Sequence, residues 1–210
     1  MTNVVGTLNV LIAARDRKVR RVVFSGSSSV YGEQAKMPLV ETMTPNPLNP
    51  YALQKYVGEQ YARMFHRLFA MQTLTLRYFG VYGPRMPSEG SYVLAVAAFL
   101  KACREGRPLE IFGDGEQTRD FTHVRDVVSA NMLAMDCDVA LADGRAINVG
   151  RGENVSVNRI AAMIGGQTVH REGRAGDMRD TLADRREAKR VLGWHPRVSI
   201  EEGIAELLKH

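Results

Sequence analysis

Apolar residues at Val4, Leu8, Leu11 and Ile12 recur every three or four positions, which predicts a helix over 3–14 that ends against the charged stretch Arg15 to Arg20. The run "RVVFSG" that follows is short, β-branched and closed by glycine and serine. It reads as a buried strand whose C-terminal edge is Ser25 to Ser29. "MPLVETMTPNPLNP" is a proline-rich loop, after which Asn49 can cap a helix with Pro50 in its first turn, running through Phe69. "TLTLRYFGVYGP" reads as a second buried strand entering a Gly/Pro loop. Strand, helix and strand at this spacing make a right-handed crossover in a parallel sheet, so the fold class is α/β. A ligand in such a sheet belongs at the C-terminal strand edges, where "SGSSSVYG" and "RYFGVYGP" emerge.

Beyond Pro84 the elements shorten. The pattern predicts a helix over 91–104, the strand "LEIF", the turn "GDGEQ", a strand near Phe121 and a helix from Val124 to Met135. The strand "AINVG", a helix over 156–164, the strand "TVH", an arginine-rich loop and helices over 184–192 and 199–208 complete the chain. The longest apolar run, Val93 to Leu100, is far too short to cross a bilayer. The polar start, with Thr2 and Asn3, lacks the basic-then-apolar pattern of an export signal, so the expected compartment is the cytoplasm.

Composition narrows the function. With 210 residues the chain can bury one substantial core or two small ones. Cys103 and Cys137 have no metal-ligand spacing and read as reduced packing residues within helices, and the five histidines do not cluster. The net charge of +5 is dispersed, with no basic tract and no aromatic-rich RNA-binding motif, which disfavours nucleic acid and suits a small anionic ligand such as a phosphate ester.

The chemistry concentrates in "NPYALQKYVGEQYARMF", where Tyr51 and Lys55 stand one helical turn apart just inside a helix start. Chance alone supplies about 0.2 Tyr-x-x-x-Lys pairs in a chain of this composition, so position matters more than the pair: this helix follows a serine-rich strand end. A free phenol titrates near 10, and bringing it to about 7 needs roughly 4 kcal/mol. One ammonium, a second nearby cation and a helix N-terminus supply that in a partly dry site. Tyr51 is therefore a candidate base.

At this point the chain resembles the extended short-chain dehydrogenases/reductases that act on nucleotide sugars, especially the members similar to UDP-glucose 4-epimerase. The resemblance runs through "NVVGTLNVLIAAR", "RRVVFSGSSSVYGE", "NPYALQKYVGEQYARMF", "LRYFGVYGPR", "GRPLEIFGDGEQTRDFTHVRDVV", "AINVGRGENVSV" and "RAGDMRDTLADRREAKRVLGWHP", seven blocks in family order. It implies a partial Rossmann-like, doubly wound parallel sheet made by 1–83 and 121–150. A smaller α+β nucleotide-sugar-binding subdomain would come from 84–120 and 151–210.

The resemblance also implies roles. Tyr51 is the base that takes the sugar hydroxyl proton while hydride passes to NAD. Lys55 holds the nicotinamide ribose and lowers the phenol pKa, and Ser27, four residues before Tyr31, bonds the reacting oxygen. Ser28 and Ser29 are expected to cap backbone. Asn3 and Phe79 match positions at the nicotinamide half of the cofactor. Arg119 and Arg174 match the arginines that grip the substrate diphosphate, and Asp177 is placed at the nucleoside. The related 4,6-dehydratases carry an acidic pair where this chain has Ser27, Ser28 and Ser29, so elimination lacks its acid and base and 4-epimerisation of a UDP-sugar is the expected reaction. A homodimer through helices 3–14 and 50–69 is implied as well.

Three features depart from the family. No G-x-x-G-x-x-G turn occurs, so about a hundred residues and four strands are expected to be unrepresented, "VVFSG" is expected to lack a neighbour, and NAD is expected to bind weakly or not at all. Gly80 stands where many epimerases have a phosphate-contacting Asn, and Val93 and Ala97 stand where Asn and Pro are common. The competing readings are a non-catalytic nucleotide-sugar-binding remnant and a related reductase or decarboxylase.

Overall fold

The computed structural model describes residues 2–88, 93–173 and 178–209. The first helix opens as a π-helical turn, Thr2–Gly6, and continues as α1, Thr7–Asp16. Strand β1, Arg21–Ser27, ends in a 3-10 turn, Ser28–Tyr31. Helix α2 spans Pro50–Phe69, and its start follows from the sequence: the Asn49 side chain accepts from Ala52 N at 2.9 Å and proline fills the first helical position. Strand β2 is Gln72–Tyr78. The predicted continuation through "FGVY" breaks at Phe79 and Gly80, and β3, Val81–Tyr82, pairs with a different partner. The reason lies at Gly80, which adopts φ +31 and passes so close to Asp120 that a Cβ would stand 2.5 Å from its carbonyl oxygen.

Helix α3 covers Ala95–Arg104; the predicted start at 91 lies outside the described residues. Strand β4 is Leu109–Phe112, and the strand expected near Phe121 is two short pieces, β5 (Thr118–Asp120) and β6 (Thr122–His123). Then come α4 (Val124–Asp136), β7 (Asp143–Val149), β8 (Asn154–Ser156), α5 (Val157–Ile164), β9 (Thr168–Arg171), α6 (Arg186–Leu192) and α7 (Ile200–Leu207).

The central sheet is parallel in the order β1-β2-β7, with Arg21 opposite Gln72, Ser27 opposite Tyr78 and Tyr78 opposite Val149, so all three strands end at one edge. Among the described residues the outer side of β1 has no strand partner. Helix α2 covers one face, and its approach depends on Gly58, where a Cβ would meet the Phe24 ring at 2.3 Å. Alternation along β2 sends Leu74 and Leu76 to the opposite face, into a core with Val127 and Ala130 of α4, Ala188 and Val191 of α6, and Trp194. The α2-facing residues of β2 are polar yet buried: Thr73 donates to Ala62 O at 2.8 Å, and Arg77 meets Glu59.

A second core joins Phe99 and Leu100 of α3, Leu109 and Ile111 of β4, Ile160 of α5 and Ile204 of α7 with Tyr82 and Phe121. The segment 151–210 thus serves both cores. Asp126 anchors this return, accepting from Arg197 N and Val198 N at 3.0 Å each, while Trp194 Nε1 donates to Asp126 O at 3.0 Å. Cys103, expected to pack, is exposed, and Cys137 is half-buried; both are free thiols. Among the described residues no helix is long and apolar enough to cross a membrane.

Candidate active site

Where the three parallel strands end, the chain changes direction. Ser27 remains extended, and its Oγ accepts from Ser29 N at 3.2 Å, capping the turn that carries Ser28 to Tyr31. Capping at this strand end therefore falls to Ser27 itself rather than to Ser28 or Ser29. Ser29 instead places its Oγ 2.8 Å from Ser27 Oγ.

A cavity of about 670 Å³ opens over this edge. Ser27, Ser28 and Ser29 form one wall, Asn49 and Tyr51 at the start of α2 a second, and Tyr78, Gly80 and Val81 the floor. Glu110 and Phe112 of β4 and Arg119 of β5 line it as well. A recess of about 510 Å³ shares Val93, Phe99, Glu110 and Phe112 with the cavity and adds Lys101 and Arg107. The cavity thus has a hydroxyl-rich end at the sheet edge and a cationic and aromatic end beyond it.

Lys55 lies one turn along α2 behind Tyr51, its Nζ 5.8 Å from the Tyr51 ring centroid and 5.6 Å from that of Phe24. It donates to Ser25 O at 3.0 Å and has no carboxylate partner among the described residues. Desolvation lowers its pKa. A partly dry ammonium held by one carbonyl, with donors left over, suits the hydroxyls of a ribose. These residues therefore fit the nicotinamide-ribose end of a dinucleotide, whereas the chain has no glycine-rich turn for a pyrophosphate.

Sequence reasoning placed Ser27, Tyr51, Lys55 and Arg119 at one site; Ser27, Tyr51 and Arg119 line the cavity, whereas Lys55 does not line it and reaches it only past the Tyr51 ring. Arg119 Nη1 also donates to Thr118 O at 2.9 Å and Arg179 O at 3.2 Å, which orients the guanidinium. Asn3 does not line the cavity; its Nδ2 donates to Gln54 Oε1 at 2.8 Å, bracing α2 from outside. Phe79 is fully buried beside Tyr31 and Ala183 and meets the cavity only through its chain neighbours. Arg174 and Asp177 lie outside the described residues, between Gly173 and the cavity-lining Met178. Val93 lines the cavity, whereas Ala97 is buried in the adjoining helix.

A buried polar network beneath the site was not foreseen. Arg77 makes a bidentate pair with Glu59, at 2.9 and 2.7 Å, and its guanidinium carbon lies 4.7 Å from the centroid of the Tyr31 ring. Tyr31 donates to Asn148 Oδ1 at 2.7 Å, and Asn148 N donates to Glu41 Oε1 at 2.8 Å. Burial disfavours the charge on Arg77, but the hydrogen bonds and charge of Glu59 outweigh it and hold the pKa above the ordinary value. Burial pushes the Tyr31 phenol up to about 12. The network ties the serine turn, α2, β2 and β7 together directly behind the cavity wall. The signal for it was a charged pair in buried elements, which sequence alone reads as solvated.

Comparison with known proteins decides the family. A family profile described as "NAD dependent epimerase/dehydratase family" matches residues 1–150. The chain belongs to that family. This epimerase-family chain is 35% identical over 213 residues to a putative UDP-glucose 4-epimerase of Methanocaldococcus jannaschii, covering 98% of itself and 68% of that protein. It is 38% identical to the UDP-glucose 4-epimerase of Mycolicibacterium smegmatis, covering 99% of itself and 67% of the relative. Its fold superimposes on the Thermotoga maritima UDP-glucose 4-epimerase solved with UDP-glucose at a TM-score of 0.92 and 36% identity, covering 99% of this chain and 68% of that one. A Bacillus cereus UDP-glucuronic acid 4-epimerase solved with UDP-glucuronic acid and NAD matches at 0.90 and 31%, covering 99% and 67%. The chain therefore spans about two thirds of the length of these relatives.

Proposed function

We propose that the chain carries the proton-transfer and sugar-binding machinery of an NAD-dependent UDP-sugar 4-epimerase of the UDP-glucose or UDP-N-acetylglucosamine type. The observation that carries this reading is the convergence of Ser27, Tyr51 and Arg119 on one cavity, with Lys55 directly behind the Tyr51 ring. When bound, NAD accepts and returns the hydride of the sugar C4 carbon. Tyr51, activated by the Lys55 ammonium, takes the proton of the C4 hydroxyl, and Ser27 Oγ bonds the same oxygen, steadying it as it becomes a ketone. The keto sugar turns over in the roomy cavity and recovers hydrogen on its other face, Tyr51 returning the proton. The cycle closes with no net redox change.

Arg119 serves the diphosphate with its planar donor fork, beside the Phe112 wall, which offers a flat aromatic surface to the base ring. Arg174 and Asp177 join it by family likeness at the diphosphate and the nucleoside. Asn3 and Phe79 support the nicotinamide end indirectly, through Gln54 and through Tyr31. Val10 on α1 and Leu53, Met64 and Leu68 on α2 are exposed apolar residues that suit the helix-to-helix homodimer, checked by sedimentation. Two free thiols suit a reducing, cytoplasmic location, checked by fractionation.

The reading is tested by supplying NAD and UDP-glucose to wild type and Tyr51→Phe and following UDP-galactose. The variant should lose about a hundred- to ten-thousand-fold in turnover with UDP affinity retained. Equal turnover by the variant refutes the assignment. Binding of UDP without binding of NAD, and no turnover, favours a nucleotide-sugar-binding module instead.

A further inference from the structure

Two serine hydroxyls face one another on the cavity wall. Ser27 Oγ and Ser29 Oγ are 2.8 Å apart, both residues line the cavity, and Ser29 N–H donates to Ser27 Oγ at 3.2 Å. A hydroxyl can accept two hydrogen bonds and donate one. The backbone N–H already fills one acceptor position on Ser27. The direction of the Oγ–Oγ bond then decides what Ser27 can do. If Ser27 donates to Ser29, its only proton is spent on a neighbour and the sugar oxygen loses a donor. If Ser29 donates, both acceptor positions of Ser27 are filled and its proton has one direction left, into the cavity.

We propose that Ser29 is a positioning residue whose hydroxyl donates to Ser27 Oγ and thereby aims the Ser27 proton at the sugar oxygen. The proposal rests on the epimerase reading and adds a residue to it. The sugar oxygen is an acceptor throughout, most strongly while negative charge gathers on it, so ligand arrival selects this direction. A run of hydrogen bonds, Ser29 to Ser27 to sugar, also polarises each member and strengthens the last one. Ser28 takes no part in the pair; it is buried on the intervening step of the turn.

The test is calorimetric and needs no turnover. For wild type, Ser29→Ala, Ser29→Thr, Ser27→Ala and the Ser27→Ala/Ser29→Ala double variant, the ratio of affinity for UDP-glucose to affinity for UDP isolates sugar recognition. Ser29→Ala should lower that ratio about three- to tenfold, the worth of one neutral hydrogen bond, while Ser29→Thr keeps it within about twofold. In the Ser27→Ala background the Ser29 change should add nothing, because Ser29 acts only through Ser27. Coincident thermal melts show that each variant folds. An unchanged ratio in Ser29→Ala overturns the proposal, as does an equal loss in both backgrounds, which marks Ser29 as a direct sugar contact. A wild type that binds UDP-glucose no better than UDP also overturns it. Failure to bind UDP at all brings down the epimerase reading itself.

Discussion

Replacing Glu59 by alanine strikes the network under the catalytic wall without touching the cavity. Glu59 and Arg77 are 5% and 3% exposed, so the substitution leaves a guanidinium in the interior without its two carboxylate bonds of 2.9 and 2.7 Å. Breaking a buried pair from one side costs about 3–5 kcal/mol, because the stranded charge keeps its desolvation penalty. Arg77 retains the Tyr31 ring and a weak bond to Glu41 O at 3.4 Å, which places the expected loss near the lower limit, about 3 kcal/mol. For a chain of 210 residues this amounts to a melting-point drop of roughly 6–12 °C. Glu59→Gln keeps the volume and one acceptor and should lose about half as much. Urea and thermal unfolding followed by circular dichroism read both. A Glu59→Ala midpoint shift equivalent to less than about 1 kcal/mol would refute the view that this pair holds the serine turn, α2 and the sheet in register. Partial recovery in Glu59→Leu/Arg77→Met would show that the penalty belongs to the stranded charge.

Other outcomes follow from single groups. Gly80→Ala should destabilise by about 2–4 kcal/mol, since its Cβ would meet Asp120 O at 2.5 Å and the clash lies against backbone, and Gly80→Asn should fare no better, gaining no phosphate contact. Denaturant titration decides it, and a neutral Gly80→Asn would contradict the close approach. The Tyr31 phenol, raised to about 12, gives stability that is complete below the ordinary tyrosine pKa near 10 and lost as pH rises from 10 to 12, roughly 2–3 kcal/mol. Spectrophotometric titration should show Tyr31→Phe abolishing a late-ionising tyrosine, and its ionisation with the exposed phenols would contradict the burial.

Much of the frame was legible because local rules and tertiary demands agree. Asn49 and Pro50 announce the start of α2, and the β-branched run of β1 needs no partner to be recognised. The alternation in "LEIF" sends Leu109 and Ile111 to the core and Glu110 and Phe112 to the cavity. What escaped depends on long-range contact. The bend at Gly80 hides inside a run that reads as one strand, because the obstacle is Asp120, forty residues later in the chain. Strand β8 hides at the cap of α5, where Ser156 already accepts from Arg159 N and so resembles a helix start alone. Ser27, Tyr51 and Arg119 were placed by motif, but the Ser29 hydroxyl bond and the buried Arg77–Glu59 pair belong to side chains whose partners are fixed only by folding.

The central claim is that one sugar oxygen sits within reach of both Tyr51 and Ser27. The most direct measurement is a crystal structure of the chain with UDP-glucose bound. The account predicts the C4 oxygen about 2.6–3.2 Å from both Tyr51 Oη and Ser27 Oγ, with the diphosphate on Arg119. A sugar lodged elsewhere, or a C4 oxygen facing away from Tyr51, would contradict it.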